Sequence, residues 1–281
     1  MLTIAWAALY LTQPVFGAPQ RVVSTFLCTD EYVFRLVPRP HIAALSYLAG
    51  DTHPVVSTIA GRVGGIRLIR PSTESVLNLK PDIVVMYQGT ETRLRAQLLA
   101  LGVPVVDVPW ANSLADIRKI ATMLGDRLGA PDTAKSLLAE MDRKIAAARA
   151  AAPHTPVKAI LYEPNGYVSS GGLTDEIMSQ SGISNAAPLS KLTRTGTLPV
   201  EQIVASAPEL LILGGEARSG SARAYMVLRH PALAALKGRT VTEYATLTPL
   251  LCPGPWSADA AQTFGDLARK TRALADIPAR N

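Results

Sequence analysis

Short apolar runs alternate along the chain with longer amphipathic stretches. The runs are bounded by Pro, Gly or Asp, which is typical of buried parallel strands. Strands are predicted at Arg21–Leu27, Ile42–Ser46, Ile83–Tyr87, Val103–Val108, Val157–Tyr162, Leu210–Leu213 and Thr240–Tyr244. Helices are predicted between and after them at Thr90–Leu101, Ser113–Leu128, Leu173–Gly182 and Ala258–Leu274. Strands that alternate with helices predict an α/β fold with parallel sheets.

The most helical stretch divides this pattern into two halves. Asp132–Ala152 consists largely of strong helix formers, follows Pro131 and ends before Pro153. The pattern therefore predicts two α/β lobes, each with a mainly parallel sheet flanked by helices, joined by a single long helix. The predicted division is an N-terminal lobe at 19–130, a connecting helix at 131–152 and a C-terminal lobe at 153–281.

Composition narrows the class of protein. The chain has 281 residues, long enough for two domains, and 48% of them are hydrophobic while 18% are charged. This balance excludes an intrinsically disordered protein. The 28 Lys and Arg exceed the 22 Asp and Glu only slightly, and no run of five basic residues occurs. We therefore expect no nucleic-acid partner.

The first residues predict export. Residues 1–18 contain no charged side chain, and their apolar stretch from Leu2 to Leu11 is too short to span a bilayer. This is typical of the hydrophobic core of a signal peptide, which would give a soluble periplasmic protein. The basic segment that usually precedes such a core is missing, so a buried N-terminal strand or helix is the alternative interpretation.

Two segments of the chain echo each other. In each, a Glu is followed seven positions later by Pro, then by an acidic residue and an apolar run; the two glutamates are Glu74 and Glu201. Each segment predicts a short helix that ends at the Pro and leads into a strand. A glutamate in a first helical turn can simply complement the helix dipole. A matched pair of exposed carboxylates, one on each lobe, can instead dock to basic residues of a partner.

The echoed segments, the opening strand at Arg21, the mid-chain helix and the order of elements together resemble the periplasmic substrate-binding proteins of ABC importers. The closest subgroup has a helical backbone and carries cobalamin, haem or ferric siderophores. The resemblance implies a monomer that binds a small-molecule ligand between its lobes and delivers it to an inner-membrane ABC permease dimer. It also implies that Glu74 and Glu201 pair with arginines of that permease.

Residues at the carboxyl ends of the predicted strands are the candidate ligand contacts, because ligands of α/β sheets bind there. They are Asp30, Glu31, Tyr32, Tyr47, His53, Tyr87, Trp110, Tyr167, Arg194 and Trp256. The aromatic members could stack on a macrocycle or aryl chelator, and Arg194 could pair with an anionic group. For each residue taken singly, loop packing or simple surface exposure is the alternative interpretation.

Two departures from the cobalamin-binding pattern bear on the class of ligand. Those relatives have a cleft tryptophan before each glutamate segment, where this chain has Gly64-Gly65-Ile66-Arg67 and Arg194-Thr195-Gly196-Thr197. The added arginines, Arg62, Arg67, Arg70 and Arg194, favour an anionic iron chelate of the ferric-siderophore kind, and simple surface charge is the alternative interpretation. Cobalamin or haem is the alternative ligand.

Cysteine and histidine give less specific signals. His41, His53, His154 and His230 are scattered without metal-ligand spacing, so we expect neither a metal site nor another cofactor. Cys28 and Cys252 both fall in segments predicted as loops near the cleft. In an oxidising compartment they could form one disulfide. Two buried free thiols are an equally open possibility, and joint ligation of a metal is a third.

No motif indicates catalysis. Phosphate-binding and dinucleotide-binding glycine loops, a nucleophile elbow and a CxxC pair are all missing from the sequence. We therefore expect a binding protein without catalytic residues. The alternatives are an α/β enzyme whose site leaves no local signature, and a sensor or scaffold.

Overall fold

Two separate parallel sheets form the framework of the chain. The computed structural model describes residues 18–52, 56–187, 195–215 and 223–275. Strands alternate with helices in both halves, and a short antiparallel ribbon accompanies the second sheet. The predicted α/β class with two mainly parallel sheets is confirmed. No helix in the described ranges has the length and apolarity that a membrane span requires.

The first sheet has five parallel strands in the order β3-β2-β1-β4-β5. They are β1 Val22–Ser24, β2 Ile42–Ser46, β3 Leu68–Ile69, β4 Ile83–Tyr87 and β5 Val105–Val108. Its helices are α1 Leu27–Leu36, α2 Thr73–Leu77, α3 Thr92–Ala100 and α4 Leu114–Arg127. The central strand β1 is wholly buried, as its Val-Val-Ser sequence and its position between β2 and β4 require.

The connecting helix, α5 Pro131–Ala150, separates the first sheet from the second in the sequence. Its proline occupies the first turn, where a missing N–H costs no helical hydrogen bond. Leu138, Met141 and Ile145 are buried on one face, and the helix packs against α4 on one side and the last helix of the chain on the other. The predicted helix is confirmed, ending two residues earlier than expected. The lobe limits proposed at 130 and 153 stay a prediction.

The second sheet has four parallel strands in the order β11-β10-β6-β8. The strands of this half are β6 Val157–Tyr162, β7 Tyr167–Ser169, β8 Ile183–Asn185, β9 Thr195–Thr197, β10 Leu210–Gly214 and β11 Val241–Ala245. Strands β7 and β9 pair antiparallel as a separate two-stranded ribbon. The helices are α6 Gly172–Gln180, α7 Val200–Ser206, α8 Thr248–Leu251 and α9 Asp259–Ala275.

The two sheets share one topology. In the first lobe β1 pairs with β2 on one side and with β4 on the other, and β5 follows β4. In the second lobe β6 has the same relation to β8, β10 and β11. The short helices α2 and α7 directly precede the equivalent strands β4 and β10. The echo in the sequence therefore corresponds to equivalent elements.

The start of the first lobe differs from the sequence prediction. The strand predicted over Arg21–Leu27 ends at Ser24, and α1 begins at Leu27. Thr29 Oγ1 lies in the first turn, where it accepts from the Phe26 backbone N–H at 3.3 Å. Helix α1 is buried on most of its circumference, because it lies between the sheet and the second lobe. Its apolar and polar residues therefore do not segregate into the pattern that marks a surface helix.

Candidate functional site

A cavity of about 220 Å³ lies where the two lobes meet. Because the strands of each sheet are parallel, their carboxyl ends lie at one edge, and the segments after β5, β6, β10 and β11 converge on this cavity. The first lobe contributes Trp110; the second contributes Glu163, Gly214, Tyr225, Leu247 and Leu251 among others. The predicted interlobe cleft is therefore present and mostly apolar.

An aromatic row follows the carboxyl edge of the first sheet. Across the strand order β2-β1-β4-β5, each strand is followed or ended by an aromatic residue, and these are Tyr47, Phe26, Tyr87 and Trp110. The ring centroids of Phe26 and Tyr87 are 5.3 Å apart and stacked, and those of Tyr87 and Trp110 are 5.9 Å apart and edge-on. Tyr47 and Trp110 are about half exposed. The row therefore presents two exposed rings, Tyr47 and Trp110, which are suited to stacking against a planar ligand.

Beside the aromatic row, the buried Tyr87 hydroxyl has no hydrogen-bond partner in the described part of the chain. Burial raises the pKa of the Glu91 carboxyl, and its hydrogen bond with the Thr25 hydroxyl partly opposes that rise. An unpaired buried polar group costs roughly 1–3 kcal/mol. The sequence pattern selected Tyr47, Tyr87 and Trp110 of the aromatic row but not Phe26, which no local motif marks.

The second lobe brings a carboxyl group to the cavity. Glu163 directly follows β6, and burial raises the pKa of its carboxyl. No Lys or Arg lines the cavity among the residues that the structure describes. Tyr167 was predicted as a ligand contact but is nearly half exposed on the β7–β9 ribbon, outside the cavity lining. The predicted contacts His53 and Arg194 lie outside the described residues.

Asp30 and Glu31 were predicted to face the ligand, and the structure contradicts this. Both lie on α1 and are almost fully buried, because the segment is a helix rather than a cleft loop. The Asp30 carboxylate accepts from the backbone N–H and hydroxyl of Ser46, at 3.0 and 2.5 Å. Glu31 accepts from the Thr58 N–H at 2.8 Å and pairs with Arg35 at 2.5 Å. Both carboxylates therefore have their hydrogen-bond partners within the first lobe and do not face the cleft.

Tyr32 and Trp256 are likewise core residues instead of ligand contacts. Tyr32 is 1% exposed and donates its hydroxyl to the Pro253 carbonyl at 3.2 Å. Trp256 is 6% exposed, contacts the Tyr32 ring edge-on at 4.8 Å, and donates from Nε1 to the Cys252 carbonyl at 2.8 Å. The prediction failed because both aromatics pack against the other lobe, leaving neither ring open to a ligand.

One face of α1 fastens the first lobe to the second. Cys28, which had been placed in a loop, lies on α1 and is joined by a disulfide to Cys252, in the loop that follows α8 as predicted. Cys28, Tyr32 and Arg35 are spaced at i, i+4 and i+7, which puts them on the same face of the helix. The Arg35 guanidinium lies 4.3 Å from the centre of the Trp256 ring. A disulfide, a hydrogen bond and a cation–π contact therefore meet at one junction between the lobes.

The arginines that suggested an anionic ligand have other surroundings. The Arg62 guanidinium lies 5.2 Å from the Phe34 ring, and the residue lines a different cavity against α5. The Arg70 guanidinium lies 4.1 Å from the Tyr47 ring at the outer end of the aromatic row. Arg67 is exposed. Within the described ranges, no cluster of three His, Cys, Asp or Glu has metal-binding geometry.

The two echoed glutamates occupy equivalent exposed positions. Glu74 lies in the first turn of α2, which Ser72 caps, and Glu201 lies in the first turn of α7. A helix that crosses between parallel strands begins at their carboxyl edge. Both carboxylates are therefore on the side of their sheet where the cleft opens. Neither forms an ion pair with another residue that the structure describes.

The fold and the interlobe cavity are those of a two-lobed substrate-binding protein. The sequence profile described as "Periplasmic binding protein" matches residues 68–243, more than half of the chain. The chain thus belongs to the periplasmic binding protein family, and its two sheets joined by one long helix are the helical-backbone form of that fold. No curated protein sequence matches the chain.

Several solved structures of binding and transport proteins share this fold. The periplasmic haem-binding protein RhuT from Roseiflexus sp. RS-1 is 22% identical, with a TM-score of 0.66 over 89% of this chain and 99% of that one. The vitamin B12-binding protein BtuF of Vibrio cholerae is 16% identical, with a TM-score of 0.67 over 91% and 99%. A structure described as an ABC-type Fe3+-hydroxamate transport system from Saccharomonospora viridis is 17% identical, with a TM-score of 0.65 over 91% and 94%.

Removing the disulfide should lower the free energy of unfolding by a measurable amount. Replacing both Cys28 and Cys252 by Ala should lower the free energy of unfolding by about 2–5 kcal/mol, because the bond closes a loop of 224 residues in the unfolded chain. Urea unfolding of the oxidised wild type and the double variant would measure the difference. Adding a reductant to the wild type should reproduce the loss and leave the variant unchanged. Equal stability of the oxidised and reduced wild type would contradict the prediction.

The buried Asp30 predicts a pH dependence of stability. Burial raises the pKa of its carboxyl from 3.8 to about 7, although the Ser24 and Ser46 hydrogen bonds oppose the rise. The folded chain therefore holds this proton more tightly than the unfolded chain. Its contribution to stability is full below pH 4 and is lost as the pH rises to about 7.

Between pH 5 and pH 8 this loss amounts to about 2–3 kcal/mol. Asp30→Asn keeps an acceptor for the Ser46 N–H and cannot titrate. Urea unfolding at both pH values should therefore show a smaller fall in stability for the variant than for the wild type. If stability falls equally in the wild type and the variant between the two pH values, Asp30 is not the cause of the pH dependence.

Proposed function

We propose that the protein captures a metal-containing small molecule in its interlobe cleft and delivers it to an ABC importer. The observation that carries the proposal is the cavity between the lobes, to which the first lobe contributes Trp110, the last ring of the aromatic row. Aromatic rings favour planar or aryl-rich ligands, which include metal chelates and tetrapyrroles. The printed names of the structural neighbours, which mention haem, vitamin B12 and a ferric hydroxamate, support the same class of ligand.

Within this class, we propose an iron chelate of the siderophore kind as the first ligand to test, with cobalamin or haem as the alternative. The cavity is small and opens to solvent, so a bulky chelate would rest on the aromatic row and extend beyond the cavity. Residues 1–18 would direct the chain to the periplasm, where it would act as a monomer without a resident cofactor or catalytic group. Family membership favours this transport function over an enzyme.

Delivery would use the two exposed glutamates. Glu74 and Glu201 lie at equivalent positions on the two lobes, so they would contact the two subunits of a permease dimer in the same way. Exposed ion pairs add little affinity and mainly set orientation and association rate. Weak docking suits a carrier that must leave the importer after each delivery.

A ligand screen tests the binding function. Ferric siderophores, haem and corrinoids should be compared by thermal melting of the purified protein. At a hundredfold excess over its Kd, a true ligand should stabilise the fold by about 2.7 kcal/mol, which raises the Tm by about 5 °C or more in a chain of this size. If no member of the three classes raises the Tm, the proposed function is wrong.

Trp110 gives the screen a residue-level test. Trp110→Ala should weaken binding of the positive ligand about tenfold or more, because it removes the aromatic surface that the first lobe presents to the cavity. Leu101→Ala is the control, since Leu101 is an equally exposed apolar residue at the far end of α3. Titration calorimetry of both variants would decide. Equal affinities in the two variants would place the ligand elsewhere.

The docking role predicts a separation between binding and transport. Glu74→Ala and Glu201→Ala should keep the wild-type ligand affinity, because neither residue lines the cavity, and should lower ligand uptake by cells that depend on the variant. The double variant should be more impaired than either single one. Loss of ligand affinity in these variants, or full uptake by the double variant, would refute the docking role.

A further inference from the structure

One acidic side chain lies in the otherwise apolar lining of the interlobe cavity. Of the described residues that line it, Glu163 alone has an acidic or basic side chain. Glu163 enters the lining from the second lobe, whereas Trp110 enters it from the first. The remaining lining residues are aliphatic side chains, prolines, glycines and two hydroxyl-bearing residues, Thr174 and Tyr225. The cavity therefore combines one carboxyl group with an aromatic ring in a small, mostly apolar space.

The backbone holds Glu163 in a tight turn between β6 and β7. Its N–H donates to the Tyr167 carbonyl at 2.8 Å, and its carbonyl accepts from the Gly166 N–H at 3.0 Å. Asn165 and Gly166 have φ of 60° and 78°, a left-handed backbone that Asn and Gly tolerate best. A Cβ on Gly214 of β10 would lie 3.1 Å from Glu163 Cγ. The turn thus fixes where the side chain begins, and Gly214 leaves it room beside the cavity.

The Glu163 carboxyl has no hydrogen-bond donor in the described part of the chain. Burial raises the pKa of this carboxyl, and neither a hydrogen bond nor a cation opposes the rise. Other carboxylates of the same lobe differ, because Asp175 accepts from the Gly171 N–H at 2.6 Å and Glu176 accepts from the Leu114 N–H at 2.8 Å. The lobe therefore provides donors for the acids that hold its loops in place and provides none for the acid in the cavity.

These surroundings indicate which chemical group the cavity would accept. An anionic group would meet the Glu163 carboxyl, and no Lys or Arg in the described lining would balance the repulsion. A neutral apolar group would leave the carboxyl without a partner, which is costly once water is displaced. An ammonium donates hydrogen bonds to the carboxyl, favours its ionised form and is attracted to an aromatic face such as that of Trp110. A positively charged group therefore fits best.

We propose that the cavity is a subsite for an alkylammonium group of the ligand, in which Glu163 binds the ammonium and Trp110 packs against the alkyl arm. The cavity has a volume of about 220 Å³ and opens to solvent, so it would accept one arm of a metal chelate while the chelated metal stays outside. This assignment rests on the proposed function. It selects chelates with a cationic arm over the anionic chelates that the sequence suggests.

Fragments test the subsite without the rest of the ligand. n-Pentylammonium, n-pentanol and pentanoate are similar in length and differ in charge. NMR titrations at constant ionic strength would follow the indole N–H signal of Trp110, with Trp256, which is buried outside this cavity, as the internal reference. The wild type should bind n-pentylammonium about tenfold or more tightly than n-pentanol, because a hydrogen bond to a charged group is the stronger kind. Pentanoate should bind most weakly.

A chelate pair extends the test to a metal-containing probe. Ferrioxamine B carries a pentylammonium arm on a ferric core, and its N-acetyl derivative replaces the charge by a neutral amide. Acetylation should weaken binding of ferrioxamine B about tenfold. The fragments decide on the subsite even where neither chelate binds, because they do not depend on contacts with the ferric core.

A variant assigns the preference to Glu163. Glu163→Gln should reduce the preference for n-pentylammonium over n-pentanol by about fivefold or more. It should also keep or raise the Tm of the ligand-free protein, because it removes a carboxyl that burial disfavours. A merely structural Glu163 would show the reverse, with a lower Tm and an unchanged preference.

Glu243→Gln is the matched control. It makes the same substitution in the same lobe, on a β11 side chain that pairs with Lys270 and lies outside the cavity lining. This variant should keep the wild-type preference for n-pentylammonium. An equal loss of preference in Glu163→Gln and Glu243→Gln would show that the overall charge of the lobe is responsible, and it would overturn the subsite.

The outcomes separate the subsite from the proposed function. Absence of n-pentylammonium binding, equal binding of n-pentanol, or a preference that Glu163→Gln leaves intact overturns the subsite and leaves capture of a metal chelate in place. A negative melting screen together with a Glu163-dependent preference for n-pentylammonium overturns the metal-containing cargo and supports the subsite. Failure of both the fragments and the screen overturns both.

Discussion

One face of α1 determines how the two lobes sit against each other. Cys28, Tyr32 and Arg35 point from that face into the segment at Cys252 to Trp256, through a disulfide, a hydrogen bond and a cation–π contact. Helix α5 joins the same lobes as continuous chain. With two independent connections, the carboxyl edges of the two sheets stay opposed, and the cavity between them depends on that arrangement.

Much of the fold could be predicted because its parallel strands are apolar throughout and bounded by turn residues. The predicted limits of Ile42–Ser46, Ile83–Tyr87 and Val157–Tyr162 agree with the strands that form. The echoed glutamates predicted equivalent elements correctly, because a Pro that ends a helix before an acidic residue and a strand is a strong local signal. The short ribbon strands at Tyr167 and Thr195 could not be predicted, since three-residue strands leave no periodicity.

The candidate site was predicted only in part, and the reason is α1. With Leu27–Leu36 taken as strand and loop, Asp30, Glu31 and Tyr32 were assigned to the cleft, whereas they are buried on a helix. A helical signal was present in the spacing of Cys28, Tyr32 and Arg35. Tyr87 and Trp110 do lie at the carboxyl edge, because topology alone places residues that end or follow strands there, and of the two only Trp110 lines the cavity.

Buried polar groups of the first lobe differ in whether they have hydrogen-bond partners. Beneath the cleft, the Asp30 and Glu31 carboxylates have partners within the lobe, so they hold α1 to its neighbours. Beside the aromatic row, the Tyr87 hydroxyl has no partner among the residues that the structure describes. The first arrangement gives this edge of the lobe a fixed shape, and the second leaves one buried hydrogen-bonding group unused.

The disulfide also changes what a protease can do to this molecule. The bond spans 224 residues of sequence, so the backbone between Cys28 and Cys252 is a covalently closed ring with two tails. A single cut anywhere in that ring leaves both fragments tethered, and each stays packed against the other by α5 and α9. A nicked copy would therefore keep both sides of its binding cleft in an oxidising compartment and would separate into pieces only after a second cut or reduction.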